Sequence, residues 1–150
     1  MYGTRVLVYA GADMNTLKPA LVYFLLVFGA GFLLGTVRVL VILPLVGERA
    51  AELLEIPFML TVIVFAARWL NRHLLADAQP QRRIAAGLLA LGFVLAADVK
   101  VGITLRGLSL SEVFFDRDPV SGTAYYFSLL LFAFMPWLLA RNVQRSKQPG

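Results

Sequence analysis

Cysteine is absent from the chain, so disulfides, thiolate metal sites and cysteine nucleophiles are excluded. Histidine occurs once, at His73, which excludes a haem held by two histidines of one chain. Charge is sparse as well. Only 15% of the residues are Asp, Glu, Lys or Arg, against about 25% in an ordinary soluble domain. No polar stretch is long enough to read as a soluble domain, and 150 residues are few for two domains.

What is present is apolar. Hydrophobic residues make up 59% of the chain and the mean hydropathy is +0.76, the composition of an integral membrane protein. The net charge of +5 does not point to nucleic acid, because the basic residues form no compact patch interleaved with aromatics. They gather at the ends of apolar runs instead, as the positive-inside rule describes.

Four apolar runs predict an all-α, polytopic up-down bundle with spans at about 19–44, 48–72, 84–105 and 120–139. Residues 1–18 read as an extension, with Met14 resembling a natural start, and residues 142–150 as a short basic tail. Pro19 suits a first helical turn, where its missing N–H has no partner to lose. Pro44 to Gly47 reads as a tight turn between the first two spans. Pro57 predicts a kink in the second span and Pro136 a bend near the end of the fourth. Ser109 and Glu112 have the spacing of a capping box before a short amphipathic element, and Asp118-Pro119 reads as a cap followed by proline at the first helical position.

Small residues mark the faces expected to pack. Gly31 and Gly35 form GxxxG, Gly29 adds a further small residue, and Gly92 and Ala96 supply a similar surface on the third span. Helix contact within the bundle is the expected role of all five.

Placing the termini and the middle loop at one end collects nine basic residues against two acidic ones, and leaves five against seven at the other. The bundle thus has a basic end and an acidic end. The imbalance predicts both termini in the cytoplasm of a bacterial inner membrane. At the acidic end, Glu48, Glu52 and Glu55 recur at i, i+4 and i+7 on one helix face. Carboxylates so spaced repel, so cations are expected beside them. Arg38, Arg49 and Lys100 lie at the same depth, with Asp98, and the expectation is one ion-pair network joining the first three helices. Asp98 and Lys100 are two residues apart and cannot easily pair with each other.

Ionisable groups inside spans often mark ion or solute paths. Paired carboxylates also serve as acid and base, but no histidine accompanies these and no serine or cysteine nucleophile stands near. Neither a catalytic site, a cofactor nor a metal is expected. The expected partners are the lipid bilayer and either another membrane protein or a second copy of the chain. The leading reading is a non-enzymatic accessory or scaffold subunit; the alternative is a small oligomeric ion or polar-solute transporter using the charged cluster.

The segment GAGFLLGTVR is similar to the glycine-rich first helix of the fluoride-channel family. The second span departs from that family: it lacks the family's polar asparagine and carries carboxylates where an anion path would be hindered, so no function carries over. GTVRVLVILPLVGERAAELLEIPFML and DPVSGTAYYFSLLLFAFMP resemble a group of small four-span bacterial inner-membrane proteins. That resemblance implies the four-span architecture from Met14 onward and brings no activity.

Overall fold

The structure is a computed structural model that describes residues 14–116 and 118–146, with side chains as far as Arg141. Of the extension expected over residues 1–18, residues 1–13 lie outside the described residues, as do the side chains of the basic tail, while Met14 to Lys18 are already helical and belong to the first span. Five helices follow one another: α1 (Met14–Val46), α2 (Glu48–His73), α3 (Pro80–Arg106), the short α4 (Leu110–Phe115) and α5 (Pro119–Ser146). No strand occurs among the described residues. Four of the helices, α1, α2, α3 and α5, are long and apolar enough to cross a membrane. This is the architecture of a multi-pass membrane protein.

Consecutive spans run in opposite directions, but they do not pack in chain order around the bundle. α1 lies between α2 and α3, and α5 closes the other side between the same two. α2 and α3, joined by the short middle loop, therefore stand on one diagonal, with α1 and α5 on the other. The core is concentrated at the basic end, where Ala20, Tyr23 and Val27 of α1 meet Ile63, Ala67 and Leu70 of α2, Ala86 and Ala90 of α3, and Phe132 of α5. Small side chains there let the helices close up; a Cβ at Gly87 would stand 1.8 Å from the carbonyl oxygen of Ala133.

Local chemistry accounts for the ends of the helices. Gly47 breaks the chain between α1 and α2 at φ +84°, a conformation that L side chains rarely adopt. Gly107 ends α3 in the left-handed region, and Leu108 N–H donates back to the Gly102 carbonyl at 3.1 Å. α4 opens with the capping box read from the sequence: Glu112 accepts from Ser109 N–H at 2.6 Å and its own N–H donates to Ser109 Oγ. Ser109 holds the Glu112 carboxyl below the usual range, its N–H contributing most and its hydroxyl next. Val113 of α4 seats against Gly102, where a Cβ would come within 2.6 Å of its side chain.

The prolines act differently from one another. Helix α2 continues through Pro57, and Thr61 Oγ1 donates to the Pro57 carbonyl at 2.8 Å. Pro44 coincides with a departure absent from the sequence reading: Arg38–Ile42 is a π-helical turn, closed by the Leu43 N–H to the Arg38 carbonyl. A proline at 44 has no N–H for the Leu40 carbonyl and its ring presses on that oxygen in an α-helix. Widening the preceding turn by one residue relieves the clash.

Candidate functional site

Arg38 opens the π turn, at the point where α1 faces the first half of α2. Its Nη1 stands 3.1 Å from Glu52 Oε1 and its Nε 3.0 Å from Glu55 Oε2. All three side chains are about three-quarters or more covered. Glu52 and Glu55 are three residues apart on α2, so a single guanidinium reaches both. The Nε approach is an ionic contact and does not have the alignment of a hydrogen bond. One cation for two carboxylates leaves the group one positive charge short of neutrality. A charge at mid-bilayer costs about 2.5–3.5 kcal/mol on insertion scales; mutual pairing and proximity to the helix ends offset part of that here.

The other charged residues of the acidic end go elsewhere. Arg49 turns to Asp118, with Nε at 3.0 and 3.1 Å from the two carboxylate oxygens and Nη2 at 2.6 Å. Asp118 Oδ2 also accepts from the N–H groups of Val120 and Ser121, capping α5. With these donors, Arg49 foremost and Ser121 N–H next, the Asp118 carboxyl is lowered to about 2. Asp98 of α3 accepts from the Tyr125 hydroxyl of α5. Glu48 and Lys100 are exposed, and neither forms an ion pair among the described residues. In place of one network through the first three helices there are separate contacts, α1 to α2, α2 to α5, and α3 to α5. The glycines are distributed in a similar way. Gly31 meets only the tip of Met59, at 3.3 Å, while Gly29, Gly35 and Gly92 would each carry a Cβ into open space. Ala96 is exposed.

A second polar group lies at the basic end, and sequence reasoning passed over its members. Tyr23 Oη donates to the Phe132 carbonyl at 2.7 Å and its ring stacks on Phe132 at 4.4 Å. That carbonyl is the one Pro136, four residues later, cannot serve. Asn71 Nδ2 donates to the Pro136 carbonyl at 2.8 Å, and Asn71 Oδ1 accepts from Arg83 Nη1 at 2.7 Å. Arg83 also donates to the carbonyls of Ala76 and Ala78, holding the loop between α2 and α3. Proline four residues after a buried carbonyl was the available signal; the partner's identity was not.

Among the described residues no group of three or more His, Cys, Asp or Glu side chains converges as a metal site. Comparisons with protein-family models, curated proteins and solved structures found no match to this chain.

Proposed function

We propose that the protein is a non-enzymatic inner-membrane subunit that works by lateral packing against another membrane protein or a second copy of itself. The observation that carries this reading is the state of α1. It is the most apolar of the four spans and the least covered by the rest of the chain. Leu25, Gly29, Phe32 and Leu33 share its outward face, and a glycine there permits a close approach by a second helix. The excess of basic residues around the termini and the middle loop supports a cytoplasmic location for both termini. A reporter fused after Gly150 and active only in the periplasm would overturn that orientation. Purification in mild detergent tests the subunit reading: a second chain in fixed ratio is expected, and a clean monomer contradicts it.

A specific observation favours a second reading, a small-solute or ion pathway. Gly31, Gly35 and Arg38 recur at i, i+4 and i+7 on the face that meets Glu52 and Glu55, and the group takes one proton or small cation to become neutral. Reconstituted vesicles check this. On the second reading wild-type vesicles carry a proton or sodium flux that Glu52→Gln and Glu55→Gln abolish; on the first, wild type and variants alike stay at the background level.

A further inference from the structure

On the α1–α2 side of the basic end the bundle surface holds a cleft of about 700 Å³. Leu26 of α1 with Val62 and Phe65 of α2 give it an apolar lining, and Trp69, Arg68 and Arg72 stand toward the end of α2. The volume falls within the roughly 300–1,000 Å³ typical of sites that bury a small organic ligand. No carboxylate lines it. Arg68 and Arg72 are four residues apart on one helix face, both are exposed, and neither forms an ion pair or hydrogen bond with a described residue. Arg49 and Arg83, by contrast, are committed to protein oxygens. The Trp69 ring lies against His73, 4.9 Å between centroids, as suits an aromatic at a membrane boundary.

Two uncommitted guanidinium groups at the end of an apolar slot call for an amphiphile with an anionic head. We propose that this cleft binds an anionic phospholipid from the leaflet at the basic end, with an acyl chain along Leu26, Val62 and Phe65 and the phosphate between Arg68 and Arg72. Guanidinium matches phosphate oxygens in a bidentate way that ammonium does not, and basic pockets between spans recognise such headgroups. Arg68 is five residues short of the end of α2, about 7–8 Å along the axis, which keeps both heads at headgroup depth. A soluble phosphorylated peptide would leave the apolar lining uncovered, and inorganic phosphate would use the arginines alone.

Native mass spectrometry of the full chain, released from nanodiscs of mixed phosphatidylglycerol and phosphatidylcholine, tests the site. The wild type is expected to retain phosphatidylglycerol selectively, and the Arg68→Gln/Arg72→Gln variant to lose that preference by roughly tenfold or more, as two arginines at an anionic surface would provide. Lys18→Gln/Arg141→Gln removes the same charge from the same end and is expected to keep it. Equal losses in the two variants, or no loss in the first, overturn the proposal. Displacement of the lipid by millimolar inorganic phosphate would assign the arginines to a free anion instead and also overturn it. A diazirine-bearing phosphatidylglycerol added to the unmodified protein gives a readout independent of variant folding: labelling is expected on peptides containing Leu26, Val62 or Phe65, and labelling confined to other peptides contradicts the site.

Discussion

Tyr23 shows how one side chain substitutes for a bond that proline removes. Its hydroxyl serves the Phe132 carbonyl left unpaired by Pro136, so Tyr23→Phe should cost about 1–3 kcal/mol, the penalty of a buried unsatisfied acceptor. In a Pro136→Ala background residue 136 regains its N–H, and the same Tyr23→Phe change should cost distinctly less. A double-mutant cycle by unfolding in detergent measures the difference; additive costs would mean that the hydroxyl and the proline are unrelated. Asp118 makes a second prediction at this scale. Its carboxyl is lowered to about 2 in the folded protein, against about 3.9 in an unfolded chain. A depressed folded value stabilises the native state above the unfolded value and loses that contribution as pH falls through the folded one. The stability that the bridge to Arg49 and the cap on α5 supply should thus be complete above about pH 4 and lost as pH falls through about 2. The Asp118 Cγ resonance followed against pH should titrate near 2 and move upward in Arg49→Gln; a midpoint near 3.9 in the wild type would refute the bridge. The partners in these two bonds were not legible in the sequence, because Tyr23 and Phe132 are 109 residues apart, and Arg49 and Asp118 are 69 apart.

At the scale of the element, helix identity was legible and helix contact was not. A run of about twenty apolar residues spans the hydrocarbon whatever its neighbours, and the Ser109 and Glu112 capping box needs only its own turn. The GxxxG of Gly31 and Gly35 depends on which helix lies opposite, and within this chain the close approach occurs at Gly87 instead. Gly87→Ala should therefore destabilise the bundle by about 1–3 kcal/mol through overpacking against Ala133, while Gly92→Ala should be close to neutral. Thermal unfolding of the two variants in the same detergent distinguishes them, and equal stabilities would contradict the α3–α5 contact. The π turn escaped the sequence reading for a related reason. Pro44 announces trouble for the α-helix, but a kink, a break and a widened turn all relieve it.

For the molecule as a whole, the core at the basic end and the uncovered last turns of α1 at the acidic end have different roles. Buried side chains of all four spans meet at the former, while no residue of the Arg38–Val46 segment is buried at the latter. α1 thus projects a long apolar surface beyond the part of the bundle that holds it, and its Arg38 pairs tie it to α2 without covering it. The sequence showed that charges gather at this end; it could not show that they divide among three helix pairs, since ring order is set by packing and here α2 and α3 stand on a diagonal. The most direct test of lateral packing is site-specific photo-crosslinking in intact membranes, from a probe placed at Leu33 or Leu40 on α1 and, as a control, at exposed Leu88 on α3. Lateral packing through α1 predicts one discrete protein adduct from the α1 positions and none from Leu88; lipid adducts alone at all three positions would contradict it.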